Sequence, residues 1–236
     1  MMQSWSLVIF CYNEVQTVSK VFQSVYELFT KNGVSQFEII IVDDGSTDGS
    51  NEVITRIHEE NPQKVRAIFH GKNKGIGYAL RSGYNAAQLE NICSVPADGQ
   101  FDVNEITPYL NVAEKTFISF YRKENVQYTA FRMTLSYFNK KINSFFVGIN
   151  LKDVNWVKIF KNQEIKKFSW EIKSSLIESE ICAKLLYNGN KVKEELSIYH
   201  PRVAGQSKGA SMKILFQAIR ETMKLIVVMF KFKRKK

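Results

Sequence analysis

With 236 residues, 44% of them hydrophobic and 24% charged, the chain is long and apolar enough to bury a core, which argues against global disorder. Its 33 basic and 23 acidic side chains give a net charge of +10, half of it in the tail Lys231–Lys236, which favours an anionic partner such as a phosphate-bearing substrate or an anionic membrane. The three cysteines are widely spaced and no apolar run reaches about 20 residues, so we expect no disulfide scaffold, no zinc site and no membrane-spanning helix.

The N-terminal half alternates short apolar runs with helical apolar spacing. The predicted strands are Ser6–Tyr12, Glu38–Val42, Val65–Phe69 and Ile92–Val95. Helices are predicted from Val15 to Phe29, after the turn-forming run that follows the second strand, and over Gly75–Leu89. Such alternation predicts βαβ units and a mostly parallel sheet, in which ligands bind at the carboxyl ends of the strands.

The pattern changes after Pro108, where strands and helices mix less regularly. The predicted elements are a strand at Thr116–Tyr121, a helix at Val126–Phe146, a strand at Asp153–Phe160, a helix at Ser174–Tyr187, a strand at Lys191–Tyr199 and an amphipathic helix at Met212–Phe232. No linker or repeat interrupts the chain. We therefore predict one α/β domain over residues 1–210 and a basic helical appendage over residues 211–236.

Two carboxylates, Asp43 and Asp44, follow the second predicted strand and lead into a Gly-Ser turn. Burying such groups is unfavourable unless they have partners. One interpretation is that one carboxylate accepts hydrogen bonds from a base or ribose while the other helps to place a metal. The other interpretation is that Asp and Ser only cap the next helix.

A second acidic turn, Pro96-Ala-Asp-Gly-Gln100, follows the fourth predicted strand. Mg²⁺ and Mn²⁺ take oxygen ligands and often bind through one or two carboxylates together with substrate phosphates. Asp98 and the carbonyl of Gln100 would supply such a minimal set, although an Asp-Gly pair is more often only a turn.

The segment Asn73–Ala79 contains Gly75 and Gly77 at the start of a predicted helix, where backbone N–H groups can approach phosphate. The dinucleotide fingerprint would instead follow the first strand, where this chain has no glycine, and no GxxxxGK[ST] motif is present. An NAD or ATP site is therefore disfavoured. His58, His70 and His200 show no ligand spacing and are expected to be satisfied or surface side chains.

Taken together, the motifs are more specific than any one of them. In order they are Phe10-Cys-Tyr-Asn-Glu14, Val42-Asp-Asp-Gly-Ser-Thr-Asp48, Asn73-x-Gly75-x-Gly77-x-Ala79 and Ala97-Asp-Gly-Gln100. The set resembles the inverting family-two glycosyltransferases of GT-A fold, and within them the polyprenyl-phosphate sugar synthases, of which dolichyl-phosphate mannose synthase is the familiar member. The likeness runs over about residues 6–210, through Tyr121-Arg122, Arg132, Asn139, Asp153–Phe160 and Arg202-x-x-Gly205-x-Ser207-Lys208.

The resemblance implies roles for individual side chains of this chain. A nucleotide-sugar donor would be bound by Phe10, Tyr12, Glu14, Val42, Asp44, Gly45, Ala97 and Asp98. Mg²⁺ or Mn²⁺ would sit at Asp98 and Gln100. Catalytic roles would fall to Asp153, Arg122 and Arg132, and the acceptor phosphate would be bound by Arg122, Arg132, Arg202, Ser207 and Lys208.

One departure from the family pattern bears on the metal. The family's motif is commonly Asp-Ala-Asp, and its first Asp is Pro96 in this chain. We expect weaker metal binding with more water in the coordination shell. The alternative is a catalytically weak nucleotide-sugar binding protein.

The arginines favour a polyprenyl phosphate as acceptor, because a phosphate dianion needs no general base. A saccharide hydroxyl is the alternative acceptor, and it would require Asp153 as base. The scattered basic residues lack an aromatic-interleaved motif, so a nucleic-acid partner is not expected.

The predicted C-terminal helix combines an apolar stripe with a basic end, which is typical of helices lying on a membrane surface. The stripe could instead pack on the domain's own core or on a second copy. We expect a cytoplasmic protein held peripherally at the cytoplasmic face of a membrane, and a membrane-protein partner or a homo-oligomer remains open.

Overall fold

The computed structural model describes residues 2–122, 147–200 and 212–234, and side chains of its last helix from Arg220 onward. Within these residues it contains seven strands, six α-helices and one 3-10 helix at Val103–Tyr109. The strands are β1 (Trp5–Cys11), β2 (Phe37–Asp43), β3 (Val65–Phe69), β4 (Asn91–Pro96), β5 (Thr116–Arg122), β6 (Lys158–Lys161) and β7 (Lys191–Ser197). The helices are α1 (Val18–Lys31), α2 (Ser50–Glu60), α3 (Ile76–Ala86), α4 (Asn162–Ile165), α5 (Ile177–Tyr187) and α6 (Met212–Arg234).

The seven strands form one sheet in the order β3-β2-β1-β4-β6-β5-β7. Neighbouring strands run parallel except at β6, which is antiparallel to both β4 and β5. The central strands β1 and β2 are apolar on both faces, as expected for strands covered by helices on either side. The predicted α/β fold with a mostly parallel sheet is confirmed.

Helices cover both faces of this sheet and create two hydrophobic cores. One core lies between the sheet and α1, α2 and the 3-10 helix, and includes the packed rings of Trp5, Phe29 and Phe37. The other lies between the sheet and α3, α5 and α6, and includes Tyr84 and Phe160. The helices pack on the faces of the sheet and not on the carboxyl ends of its parallel strands. In such sheets those ends are where ligands bind.

Helix α6 has an inner and an outer apolar face. Leu225, Val228 and Met229 on the inner face are buried in the second core, so the stripe packs on the domain as one of the two sequence-based alternatives supposed. Met223, Val227 and Phe230 on the outer face are 57%, 48% and 60% exposed. Across the described ranges 2–122, 147–200 and 212–234, no helix has the length and apolarity to cross a bilayer. The division of the chain at residue 210 stays a prediction.

The predicted strand Asp153–Phe160 is wrong in its first half, since β6 begins only at Lys158. The side chain of Lys158 is buried and donates hydrogen bonds to the carbonyls of Val154 and Trp156, at 2.9 and 2.7 Å. Those carbonyls therefore point at an ammonium group and not at a neighbouring strand. The predicted helix Val126–Phe146 lies outside the described residues.

Candidate active site

The last two residues of β1 anchor two acidic loops, one on each side. The amide of Asp44 donates to the carbonyl of Cys11 at 2.9 Å, and the amide of Ala97 donates to the carbonyl of Phe10 at 3.0 Å. Strands β2 and β4 flank β1, so both loops lie at the carboxyl end of the sheet. Adjacent strands are about 4.8 Å apart, so the two loops are about two strand spacings from each other. The two predicted acidic clusters therefore flank one strand end.

The Asp44 carboxylate is buried and fully engaged by the loop that follows β3. It accepts hydrogen bonds from the amides of Lys74 and Gly75, at 3.1 and 2.7 Å, and it lies 2.7 Å from Nδ1 of His70. His70 Nε2 lies 2.9 Å from the hydroxyl of Ser82, so His70 is a satisfied buried histidine, as expected. Asp44 thus fixes the glycine-containing loop in place beside β2. The sequence did not indicate the contact between His70 and Asp44.

Asp43, the other carboxylate of the pair, faces an open cavity of ≈ 610 Å³ between β2, β3 and α2. Tyr12 and Gly45, both predicted donor-binding residues, line this cavity as well. The remaining wall consists of Ser46, Thr47, Asn51, Thr55, Phe69, His70, Gly71, Lys72 and Asn73. Hydroxyl, amide and carboxylate groups together with the rings of Tyr12 and Phe69 suit a nucleoside, which has a flat base and a polar sugar.

Gly45 is the position where the loop after β2 touches the loop after β3. Its φ of +76° lies in the left-handed region, and a Cβ there would stand 2.6 Å from the amide nitrogen of Asn73. Both conditions require glycine. The contact explains why the Asp-Asp-Gly-Ser turn has a glycine at its third position.

The segment after β1 is joined to the same turn by side-chain bonds that the sequence did not predict. Asn13, itself at φ 57°, accepts from the amide of Thr47 at 2.8 Å, and its own amide donates to the hydroxyl of Ser46 at 2.8 Å. The amide of Glu14 donates to the hydroxyl of Ser50 at 3.0 Å. These bonds hold Asn13 and Glu14 against the turn, and so fix the backbone next to Tyr12, which lines the cavity.

The side chains of two predicted donor-binding residues pack in or against the second core. Val42 is buried in the second core, and Phe10 packs against that core from the end of β1.

Cys11 between Phe10 and Tyr12 is inert, because burial raises the pKa of its thiol to about 12 and the charge of Asp43 acts in the same direction. A neutral thiol at neutral pH is not a nucleophile.

The second loop places Asp98 and Gln100 together. Asp98 is buried, and its Oδ1 accepts from the amide of Gln100 at 3.0 Å. The side chain of Gln100 contacts the hydroxyl of Tyr199. The backbone carbonyl of Gln100 accepts from the backbone amide of His200 at 3.1 Å. Pro96 pairs with Phe10 in the register of the sheet and offers no side-chain oxygen.

The described residues contain no group of three or more His, Cys, Asp or Glu side chains suited to a metal. The carboxylate of Asp98 and the backbone carbonyl of Gln100 fit a divalent ion only if phosphate oxygens and water complete its shell. This donor set therefore fits Mg²⁺ or Mn²⁺ in the company of a diphosphate, and fits the free ion poorly.

A third group lies at the end of β5. Arg122 Nε donates to Asp153 Oδ2 at 2.8 Å, and its guanidinium lies 4.6 Å from the ring centre of Trp156. The other oxygen of Asp153 accepts from the amide of Asn155 at 2.9 Å. Arg122 is thus held by an ion pair and a ring face, while the guanidinium has further N–H groups besides Nε. The predicted residues Arg132, Arg202, Ser207 and Lys208 lie outside the described residues.

Comparison with known proteins agrees with this architecture. Residues 6–168 match the family model described as glycosyl transferase family 2. An uncharacterized glycosyltransferase of Nostoc sp. is 40% identical over 93 residues, which are 39% of this chain and 27% of that protein. An undecaprenyl-phosphate 4-deoxy-4-formamido-L-arabinose transferase of Photorhabdus laumondii is 30% identical over 132 residues, 56% of this chain and 40% of that protein. The matches thus span well under half the length of these curated relatives.

Two solved structures share the fold at low sequence identity. Glucosyl-3-phosphoglycerate synthase from Mycobacterium tuberculosis, in complex with Mn²⁺, UDP and glucosyl-3-phosphoglycerate, superposes with a TM-score of 0.67 at 14% identity, covering 96% of this chain and 80% of that one. A mannosyltransferase from Pyrobaculum calidifontis, in complex with GDP-Man and Mn²⁺, gives a TM-score of 0.62 at 15% identity, covering 88% and 59%. These likenesses establish the GT-A fold of the chain.

Proposed function

The chain belongs to glycosyl transferase family 2, and we propose that it moves a sugar from a UDP- or GDP-linked donor to a polyprenyl phosphate with inversion at the anomeric carbon. The observation that carries this proposal is the pairing of two acidic loops on the last two residues of β1. One loop borders a cavity suited to a nucleoside, and the other carries the carboxylate that can meet a diphosphate and its counter-ion.

The donor would lie across the end of β1. Its nucleoside would occupy the cavity beside Tyr12, Asp43 and Gly45, and its diphosphate would extend toward Asp98. A bound Mg²⁺ or Mn²⁺ would neutralise negative charge on the leaving diphosphate. The relatives with solved structures were crystallised with Mn²⁺ and UDP or GDP-Man, which supports this choice of ligand class.

The acceptor would be oriented by Arg122. A phosphate monoester is largely a dianion near neutral pH, since its second pKa is about 6. An oxygen of that phosphate would attack the anomeric carbon as the bond to the donor diphosphate breaks, and configuration inverts. Arginine forms paired hydrogen bonds to phosphate and thereby fixes the direction of attack. Curated relatives named as undecaprenyl-phosphate transferases support this acceptor class.

Donor and metal binding are tested by thermal unfolding of the full chain with UDP- and GDP-sugars, each with and without Mn²⁺. We expect one nucleotide-sugar with Mn²⁺ at about 100 times its Kd to raise Tm by about 5 to 10 °C, and Mn²⁺ alone to have little effect, because the protein supplies too few ligands. Transfer to a polyprenyl phosphate is then measured with the stabilising donor. Stabilisation without any transfer would favour the alternative, a nucleotide-sugar binding protein. That alternative arises because Pro96 replaces the first carboxylate of the family's metal motif and leaves Asp98 as the second.

The saccharide-hydroxyl alternative requires Asp153 to act as a base. Both oxygens of Asp153 already accept hydrogen bonds, one from Arg122 and one from Asn155, which favours a role in holding the arginine. We expect Asp153→Asn to lower transfer to a polyprenyl phosphate by roughly tenfold, and the acidic limb of the pH–rate profile to remain, because that limb belongs to the acceptor phosphate. A profile that becomes flat on its acidic side in Asp153→Asn would instead identify Asp153 as the base.

We further propose that α6 rests on the cytoplasmic face of an anionic membrane. Its outer apolar residues Met223, Val227 and Phe230 are spaced for one helix face, and Lys231, Lys233 and Arg234 follow them. Because α6 also contributes to the second core, its deletion would disturb the fold, and substitution of the outer face is the sharper test. A membrane-protein partner or a second copy on this face is an alternative occupant.

Changing Met223, Val227 and Phe230 together to serine is expected to lower binding to phosphatidylglycerol-containing vesicles by roughly 100-fold, since each side chain loses apolar burial. Co-sedimentation with vesicles measures the change, and donor-induced stabilisation should persist. A matched control replaces Leu196 and Ile198 with serine; these are two exposed apolar residues at the end of edge strand β7 and just after it. Equal vesicle binding by the triple variant and the unaltered protein would rule out this surface.

A further inference from the structure

A buried ion pair lies behind the proposed acceptor site and has no part in the function proposed so far. Lys158 on β6 is fully buried, and its Nζ lies 3.4 Å from Oε2 of Glu178 on α5. Apolar residues of similar size often serve a core as well as such a pair does, so the pair is weak evidence for a role in stability. Its other contacts indicate what it does.

The ammonium group of Lys158 has three N–H donors and three partners. Besides Glu178, it donates to the carbonyl oxygens of Val154 and Trp156, at 2.9 and 2.7 Å. These carbonyls belong to the segment between Asp153 and β6, which forms no strand. Lys158 therefore sets the course of this segment from inside the protein.

The same segment supplies both groups that hold Arg122. Asp153 at its start accepts from Arg122 Nε at 2.8 Å, and the ring of Trp156 lies beneath the guanidinium. The indole N–H of Trp156 donates to Ser197 on β7 at 2.9 Å, which fixes the ring from the opposite side. The position of the guanidinium thus depends on the backbone that Lys158 holds.

Glu178 ties this arrangement to the strand that carries the other acidic loop. Its Oε1 accepts from the hydroxyls of Tyr84 and Ser94, at 2.6 and 3.2 Å. Burial, and then the charge of Glu178, raise the pKa of Tyr84 well above its usual value, so the hydroxyl remains a donor. Ser94 lies on β4, only four residues before Asp98. The chain of contacts therefore runs from β4 through Glu178 and Lys158 to the segment under Arg122.

We propose that Lys158 and Glu178 are positioning residues that fix the Arg122 guanidinium relative to the Asp98 loop, and so set the approach of the acceptor phosphate to the donor. The inference rests on the proposed role of Arg122 in binding that phosphate. Misplacement of a reacting group by about 1 Å can lower a rate by roughly 100-fold, so a rigid link between the two halves of the site has a direct kinetic effect.

The test compares Lys158→Met, and the double change Lys158→Met with Glu178→Gln, against the unaltered protein. The double change removes both charges and leaves an acceptor for Tyr84, so it avoids an unpaired buried carboxylate. We expect kcat/KM for the polyprenyl-phosphate acceptor to fall by roughly 10- to 100-fold in the double variant, with the donor Kd changed by less than about twofold. A loss of donor affinity equal to the loss of kcat/KM would overturn the proposal.

The chain offers matched controls on the same two elements. Lys161 is also buried on β6, and its Nζ lies 2.6 Å from Glu90, at the other end of the strand. Glu180 and Lys184 form a second buried pair on α5. Replacing Lys161 with Met, or Glu180 and Lys184 with Gln and Met, removes comparable interactions without touching the segment under Arg122. These variants should keep the acceptor kcat/KM within about threefold, and a matching loss in them would show a general structural effect.

Two further measurements separate positioning from structure and from the proposed function. In an Arg122→Gln background, adding the Lys158 and Glu178 changes should cause no further loss of acceptor turnover, because they act through Arg122; an additional loss would contradict the proposal. Fluorine NMR of fluorotryptophan-labelled protein should show the Trp156 resonance shifted in the double variant, with the Trp5 resonance unmoved. That shift without any sugar transfer in the unaltered protein would refute the proposed function alone, while an unmoved Trp156 resonance would refute the positioning role.

Discussion

Replacing Asp98 with asparagine is expected to lower sugar transfer by on the order of 10³-fold while the fold is retained. In the proposed function Asp98 is the carboxylate of its loop that meets the diphosphate, since Pro96 stands where the family pattern has a second carboxylate. Asparagine keeps an oxygen that can accept from the Gln100 amide, a bond that measures 3.0 Å in the protein. The change therefore removes charge with little effect on loop geometry.

The measurement is initial-rate transfer over a range of Mn²⁺ concentrations, with circular dichroism and Tm as checks on folding. The matched control is Asp102→Asn, because the Asp102 side chain accepts from the backbone and side-chain amides of Asn104 and caps the start of the 3-10 helix. We expect that control to retain most of its transfer activity. Full activity in Asp98→Asn at every metal concentration would remove Asp98 from the proposed chemistry.

Replacing Arg122 with glutamine is expected to lower kcat/KM for the polyprenyl-phosphate acceptor by roughly 100-fold or more, and to leave donor affinity nearly unchanged. The guanidinium is fixed by Asp153 and Trp156 beyond the end of β5, away from the nucleoside cavity. Arg122→Lys should rescue little of the loss, because an ammonium group cannot reproduce the paired geometry of a guanidinium on phosphate.

Donor binding by thermal shift and acceptor kinetics together separate these effects. A suitable control is Arg66→Gln, because Arg66 lies on β3, at the far end of the sheet from β5, where it pairs with Glu38 at 3.5 Å and donates to the carbonyl of Ala86 at 2.9 Å. The Arg66 side chain is partly exposed, and such pairs contribute little to stability. If Arg122→Gln weakened donor binding as much as acceptor turnover, the separation of donor and acceptor sites would be wrong.

The sheet could be predicted from the sequence because its information is local. Apolar runs such as Trp5–Cys11 and Phe37–Asp43 are continuous, and each is followed by polar turn residues. The positions of the strands therefore follow from the pattern, and so does the expectation of a site at their carboxyl ends. The two acidic loops were predicted for the same reason. Their convergence on β1 follows once β1 is known to lie between β2 and β4.

The bonds that hold the site in place could not be predicted, since they join residues far apart in sequence. His70 and Asp44 are separated by 26 positions, and Asn13 and Ser46 by 33. Periodicity carries no information on such pairs. The role of Lys158 could not be predicted for a different reason. The segment before it has the apolar alternation of a strand, and its carbonyls are seen to turn inward only from their bonds to the buried ammonium group.

Strand β3, the outer border of the donor cavity, is the edge strand at one end of the sheet. Within the described residues its strand neighbour is β2, and Phe69 at its end is nearly half exposed. In the proposed function the base of the donor lies against this wall, so substitutions at Phe69 or at Thr55 of α2 would change its contacts without involving β1 or β4. The preference for uracil or guanine would then be set at this wall, separately from the two acidic loops that β1 anchors.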